Sequence, residues 1–146
     1  MLLQETADNL IKMEKYIMDS QIIFPKAADF VKLDVVSSDG KEKFLLDINR
    51  KGTLKLTRCT YQKRYMTNIH LVRLDIDTKP HRNPDGTVIS PSHIHIYKEG
   101  WGIKWAYPLD EFKEITFTNL SNLTQTFLEF CKFCNITKIP SIQEVI

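Results

Sequence analysis

The sequence predicts a single α+β domain, residues 1–146, with a helix at each end of an antiparallel sheet of about six strands. Three observations predict this class: an apolar stripe with helical spacing near the N-terminus, period-two runs through the middle, and a second helical stripe near residue 130. The length suits one domain, and 42% hydrophobic with 26% charged residues is a globular composition.

The first eighteen residues predict an amphipathic N-terminal helix. Leu3, Ala7, Leu10 and Ile17 fall on one helical stripe, and most of the charged residues fall elsewhere. Each predicted helix therefore has one apolar stripe to bury against a face of the sheet.

Period-two alternation predicts the strands of the sheet, at about 30–37, 42–49, 53–60, 68–76, 93–98 and 102–107. Turn sequences at 37–40 (SSDG) and 49–52 (NRKG) connect the first three strands, which predicts a meander of hairpins. A small closed barrel plugged by the helices is the alternative arrangement.

The remaining segments are an excursion, a helix and a tail. Residues 77–92 contain three prolines and the turn sequence NPDG, so they predict a long excursion of the kind that often carries function. Residues 122–134 predict a C-terminal helix, because apolar residues recur at helical spacing after a capping-box-like start at Asn122 and Gln125. Residues 136–146 predict a tail packed along the surface.

Composition and cysteine content predict where in the cell the protein is found. No apolar run approaches the roughly 18 residues that cross a bilayer, so we expect no signal peptide, no membrane span and no membrane partner. Cys59, Cys131 and Cys134 are odd in number, which predicts reduced thiols and a cytoplasmic location. A net charge of +2 argues against a protein that coats nucleic acid by charge alone.

Polar side chains on two predicted strands form the main candidate site. Alternation places Arg73 and Asp75 on one face of the 68–76 strand, with His70 on the other face. In the 93–98 strand, the same alternation places His93, His95 and Tyr97 together. If these two strands pair, their polar faces coincide, and four residues of the excursion are expected to fold over the rim: His81, Arg82, Asn83 and Asp85.

This cluster of Arg73, Asp75, His81, His93 and His95 suits the cleavage of RNA without a metal ion. One histidine takes the 2′-OH proton, a second protonates the leaving oxygen, and Arg73 stabilises the charge of the phosphorane. The structural alternative is an ion pair between Arg73 and Asp75, with histidines that only decorate a half-exposed strand.

Metal binding is a further alternative, although the favoured prediction contains no metal and no cofactor. His93, His95 and Glu99 have the spacing HxHxxxE, which resembles the first motif of cupins, but the rest of the cupin pattern is missing. Zinc bound by His93 and His95 with His81 or Asp85 is the other metal hypothesis. Cys131 and Cys134 lie on the apolar stripe of the predicted helix and are expected to be buried side chains.

A second candidate site is a basic surface for nucleic acid. Its residues lie in and after the second and third strands and combine cations with two tyrosines: Arg50, Lys55, Arg58, Arg64, Tyr61 and Tyr65. Aromatic rings among cations bind single-stranded nucleic acid by base stacking and phosphate contact, so RNA is a possible partner. A solvated outer face of the sheet is the alternative.

Four runs carry a resemblance to a known family: LVRLDI at 71–76, HRNPDG at 81–86, HIHIYKEG at 93–100 and KWA at 104–106. They resemble a family of small uncharacterised proteins of Gram-positive bacteria and their phages, and the similarity extends over nearly the whole chain. This resemblance implies a mobile-element or defence setting.

A more distant similarity is to the TumE-type toxins of bacterial toxin–antitoxin pairs. It is carried by an Arg-x-Asp strand, a proline–histidine loop and an H-x-H strand, with Arg73, His81, His93 and His95 at the matched positions. It implies a growth-inhibiting protein that a protein partner, the antitoxin, neutralises.

Two functional hypotheses follow. The first is a toxin-like or defence-associated protein that cleaves RNA through the histidine and arginine cluster. The second is a phage-encoded inhibitor without enzymatic activity, whose partner is a host defence protein.

Overall fold

The computed structural model describes residues 2–50, 52–62, 65–111 and 117–144, with the side chains of 60–67 outside the description. Helix α1 spans Gln4–Lys12, helix α2 spans Leu123–Phe133, and a short 3-10 helix covers Leu109–Glu111. The strands are β1 (Lys15–Ile17), β2 (Gln21–Ile23), β3 (Phe30–Ser37), β4 (Lys43–Asn49), β5 (Thr53–Gln62), β6 (Tyr65–Asp75), β7 (His81–Arg82), β8 (Val88–Ile89), β9 (His93–Ile96), β10 (Ala106–Pro108), β11 (Ile136–Lys138) and β12 (Ser141–Gln143).

The main sheet confirms the α+β class and the central meander. Its strand order is β10-β9-β6-β5-β4-β3-β1-β11, and β3 to β6 pair antiparallel in sequence order. The prediction of about six strands is wrong, because the described residues place eight strands in this sheet. The sheet is open, with β10 and β11 at its edges, so the closed-barrel alternative is also wrong.

Short strands account for the difference in strand number. The predicted tail forms β11 and β12, which pair parallel with β1 and β2, so the sheet is not purely antiparallel. The excursion contains the β7–β8 hairpin. The predicted 102–107 strand is observed as Ala106–Pro108. Strands of two or three residues are too short to show alternation, and long-range pairing creates them.

The N-terminal helix is shorter than predicted. Helix α1 ends at Lys12, Met13 has extended backbone angles, and β1 begins at Lys15. Ile17 is buried, as its apolar character predicts, but it belongs to a strand. A helical stripe does not show where the helix ends when tertiary contacts decide the end.

A buried lysine fixes that end. Lys15 is fully buried, and its Nζ donates to the carbonyl oxygens of Ile11 (2.7 Å), Met13 (2.9 Å) and Cys134 (2.8 Å). The ammonium also lies 5.1 Å from the centre of the Phe44 ring. Lys15 thus satisfies carbonyls at the C-terminal ends of both helices. Burial lowers the pKa of Lys15 to about 8.

Burial of Lys15 should make the free energy of unfolding depend on pH in the alkaline range. Its pKa is about 8 in the folded protein and ordinarily 10.5, so between these values the unfolded chain binds more protons and the free energy of unfolding rises with pH. We expect the stability advantage of wild type over Lys15→Met to grow by about 2 to 3 kcal/mol across this window. Denaturant titrations at several pH values measure this difference, and a difference independent of pH would contradict the burial of a charged amine.

Both helices pack on one face of the sheet. Residues of α1 and α2 share a buried cluster with alternate residues of the long strands, such as Leu46, Leu56 and Leu74. Cys131 and Cys134 lie in this cluster as predicted, and all three cysteines are free and buried. Among the described helices, none combines the length and the apolar character that a membrane crossing requires.

Candidate functional site

The face of the sheet opposite the helices carries the polar side chains of the strands, among them Lys32, Asp47 and Lys55. At one end the excursion lies close to the sheet. Asn83 in its turn is buried, donates through Nδ2 to the carbonyl of Ala106 (3.0 Å), and accepts from the Ala106 amide (2.8 Å). Ala106 pairs with His95. Asn83 therefore holds the excursion beside the histidine strand.

A β-bulge in β6 changes the predicted alternation. Leu56 pairs with Val72 and Thr57 pairs with His70, which leaves Leu71 as the extra residue. His70 consequently lies on the same face as Arg73, and the prediction that it points to the other face is wrong. Its Nδ1 lies 3.2 Å from Thr57 Oγ1. Burial, with the nearby charges of Lys55 and Arg73, lowers the pKa of His70.

The strand pairing on which the cluster depends is present. Strands β6 and β9 pair antiparallel, with Arg73 opposite His95 and Asp75 opposite His93. Directly opposite residues share a face, so the two polar faces coincide. The side chains of His93 and His95 are each 1% exposed, that of Asp75 is 8% exposed, and that of Arg73 is 34% exposed.

Arg73 and Asp75 form the centre of the cluster. Arg73 donates from Nε to Asp75 Oδ1 and from Nη2 to Asp75 Oδ2, both at 3.0 Å, which is the bidentate geometry of a strong ion pair. Nη2 also lies 3.1 Å from His95 Nε2. Burial would raise the pKa of Asp75, but hydrogen bonds that the carboxylate accepts from a protonated His95 and from Arg73 lower it below the usual value.

Hydrogen bonds to the main chain fix the two buried imidazole rings. His93 Nδ1 lies 2.6 Å from the carbonyl oxygen of Ser90, and His95 Nδ1 lies 2.7 Å from that of Ile103. Carbonyls only accept, so each Nδ1 carries the proton, and in a neutral ring Nε2 carries the lone pair. Both Nε2 atoms face Asp75 Oδ2, at 3.2 Å for His93 and 3.3 Å for His95.

His81 completes the cluster from the excursion, at its rim as predicted. Its ring centre lies 4.7 Å from that of His95 and 5.8 Å from that of His93. Its Nε2 lies 2.8 Å from the Lys104 carbonyl oxygen and donates to it. Among the described residues, no hydrogen-bond partner is found for its Nδ1, and the residue is only partly buried.

Three residues grouped with the histidines in the sequence lie apart from them. Tyr97 follows the end of β9, joins the helix-side core, and donates its hydroxyl to the Leu2 carbonyl. Glu99 is exposed and accepts from the amide of Gln4 (2.8 Å). Asp85 is exposed and accepts from the amide of Thr87 (2.9 Å). Among the described residues, the ligand atoms of His93 and His95 group with neither Glu99, Asp85 nor His81, so the cupin-like set and both predicted zinc sets are wrong.

A metal-binding set of different composition is present. The ligand atoms of Asp75, His93 and His95 all lie within 4.8 Å of one another. Two imidazole nitrogens and one carboxylate are ligands that suit zinc and other divalent transition metals. The sequence pattern pointed to the two histidines but not to Asp75 as their common partner.

The predicted nucleic-acid surface is not assembled among the described residues. Lys55 shares the face of Arg73 and pairs with Asp47 at 3.7 Å, whereas Arg58 pairs with Phe44 on the helix side and contacts Glu42 at 3.3 Å. Arg50 donates to the carbonyl of Pro25 (2.9 Å). Arg64 and the side chains of Tyr61 and Tyr65 lie outside the described residues. RNA binding by this set stays a prediction.

A comparison with family models identifies the chain's relatives. One model, described as a family of unknown function (DUF6978), matches residues 2–136. The chain belongs to the DUF6978 family. The matched range contains the whole cluster of this DUF6978 member, from Arg73 to His95. Searches of curated proteins and of solved structures each found no match.

The sequence did not reveal the residues that hold the cluster in place. Asn83 is predicted at the rim of the cluster, but the sequence does not show that its side chain bonds to Ala106 and docks the excursion. The carbonyls of Ser90 and Ile103, which orient the histidines, are main-chain groups that a motif cannot show. Such positioning contacts become visible only when the strands are in register.

Proposed function

We propose that this chain cleaves RNA through the Arg73 cluster and acts as a toxin-like or defence-associated protein in the cytoplasm. The observation that carries the proposal is the placement of three imidazole rings around one arginine–carboxylate pair, with ring centres 4.7 to 5.8 Å apart. Two proton-transfer groups beside a guanidinium meet the chemical requirements of RNA cleavage by the 2′-OH.

His95 is the general base in this proposal. Its Nδ1 donates to a main-chain carbonyl, which fixes the ring and leaves the Nε2 lone pair to accept a proton. Asp75 Oδ2, 3.3 Å away, stabilises the imidazolium that then forms. His93, held between Asp75 and the Ser90 carbonyl, is a positioning residue for this carboxylate.

Arg73 binds the phosphate and controls access to the base. Its Nη2 lies over His95 Nε2, and the ring of His95 is 1% exposed. Because a phosphate accepts hydrogen bonds from guanidinium, substrate draws Arg73 outward and frees the Nε2 atom. His81 is the general acid as an imidazolium, in which Nε2–H donates to the Lys104 carbonyl and Nδ1–H, not engaged by a described residue, gives its proton to the leaving 5′ oxygen.

Induction in a bacterial host tests this proposal. We expect the wild-type chain to arrest growth with decay of total RNA, and His81→Ala to remove both effects, because loss of a general acid slows cleavage by about 10²- to 10⁴-fold. His70→Ala is the matched control, since His70 lies on the same face but outside the cluster, and it should act as wild type. Intact RNA with the wild-type chain would contradict the proposal.

The second candidate is an inhibitor that binds a host defence protein. The observation that favours it is that both ring nitrogens of His95 already have partners, the Ile103 carbonyl at Nδ1 and the Arg73 guanidinium at Nε2. In that case the cluster only stabilises the fold. Normal growth, together with a host protein that co-purifies equally with wild type and His81→Ala, would support this candidate.

A further inference from the structure

We propose that Asp75, His93 and His95 bind one divalent transition-metal ion, with Zn²⁺ as the representative ion. The distances between the three ligand atoms carry the proposal. Asp75 Oδ2 lies 3.2 Å from His93 Nε2 and 3.3 Å from His95 Nε2. In a tetrahedral zinc site with bonds of about 2.0 to 2.2 Å, neighbouring ligand atoms are about 3.3 to 3.6 Å apart. The carboxylate oxygen therefore already lies near this spacing from each histidine nitrogen, and all three atoms lie within 4.8 Å of one another.

The hydrogen bonds behind the ligands support the same assignment. Histidines that bind metals donate their other ring nitrogen to a carbonyl or carboxylate, which fixes the tautomer and directs the lone pair to the ion. His93 and His95 both do so, to the carbonyls of Ser90 and Ile103. Both lone pairs then face the same carboxylate oxygen, an arrangement of acceptors that a cation between them stabilises.

The set is rigid and belongs to neighbouring strands. Asp75 ends β6 and pairs with His93 of β9, so the sheet itself holds the ligands at these distances. Two imidazoles and one carboxylate suit zinc and related ions better than Ca²⁺ or Mg²⁺, which prefer oxygen ligands. His81 is not part of this set of ligand atoms, so a water would take the fourth position.

Arg73 competes with the metal for this position. Its Nη2 donates to Asp75 Oδ2 and lies 3.1 Å from His95 Nε2, so it engages two of the three ligand atoms. The form with a bound metal and the form in which Arg73 contacts Asp75 and His95 are therefore alternative states. The binding itself does not rest on the proposed function, but one consequence does: zinc takes the lone pair of His95 and inhibits metal-independent RNA cleavage.

Titration of the purified full-length chain with zinc chloride, after removal of metals with EDTA and desalting, tests the proposal. We expect one zinc per chain for the wild type and for the control His70→Gln, and no stoichiometric binding for His95→Gln. Arg73→Met keeps the three ligands and removes the competitor, so it should bind zinc about tenfold more tightly. If His95→Gln fails to fold, the higher zinc affinity expected for Arg73→Met still tests the proposal.

Absence of zinc binding by the wild type would overturn the proposal, especially if ¹⁵N NMR shows protons on both ring nitrogens of His93. Stoichiometric binding that persists in His95→Gln would overturn the assigned ligands. RNA cleavage in EDTA, measured on the same samples, separates the two proposals. Zinc binding without cleavage supports this inference alone, whereas cleavage without zinc binding supports the proposed function alone.

Discussion

Replacement of Asp75 with asparagine should lower the free energy of unfolding by about 3 kcal/mol, because it leaves the Arg73 guanidinium without its carboxylate in a mostly buried cluster. The Asp75 side chain is only 8% exposed, and it contacts Arg73, His93 and His95. Urea denaturation of wild type and Asp75→Asn measures the loss.

A second ion pair on the same face, whose carboxylate is more exposed than that of Asp75, provides the matched control. Asp47 and Lys55 are 3.7 Å apart, with side chains 21% and 29% exposed, so Asp47→Asn should cost less than about 1 kcal/mol. Equal losses for the two variants would mean that the cluster contributes no more than an ordinary surface ion pair.

Replacement of Gly52 with alanine should lower stability by about 3 kcal/mol. Gly52 has φ +96°, and a Cβ atom there would lie 2.2 Å from the carbonyl oxygen of Ile76. The Ile76 amide also donates to the Gly52 carbonyl (2.7 Å), so the clash disturbs the backbone that follows Asp75. Left-handed backbone adds about 1 to 2 kcal/mol for a residue with a Cβ. Thermal and urea denaturation measure the effect.

Gly40 separates the two contributions in Gly52→Ala. It also has positive φ, +77°, but no atom lies within 4 Å of a Cβ built on it. Gly40→Ala should therefore show only the conformational penalty of about 1 kcal/mol. If both variants lose the same stability, the predicted clash with Ile76 does not contribute to the loss in Gly52→Ala.

The regular parts of the fold were predictable because local patterns determine them. Strands β3 to β5 alternate over seven or more residues, and turn sequences separate them. The start of α2 was predictable as well, since the side chain of Asn122 accepts from the Gln125 amide at 3.1 Å. Propensity and tertiary packing agree in these elements.

The missed parts depend on contacts between distant residues. The end of α1 is fixed by Lys15, whose ammonium reaches the Cys134 carbonyl, 119 residues away. The bulge at Leu71 exists only in the register of β6 against β5. Alternation predicted the shared face of the four residues paired across β6 and β9: Arg73, Asp75, His93 and His95. It placed His70 and Tyr97 on the wrong faces. Asn83 was predicted at the rim of the cluster, but its docking contact with Ala106 was not.

We propose that the cluster cleaves RNA through the 2′-OH. The most direct measurement incubates the purified full-length chain in EDTA with a single-stranded RNA oligonucleotide and with the same oligonucleotide carrying 2′-deoxyribose. The account predicts 2′,3′-cyclic phosphate products from the RNA only, at a rate that His81→Ala lowers at least 10²-fold. No cleavage, or equal cleavage of the deoxy-substituted oligonucleotide, would contradict it.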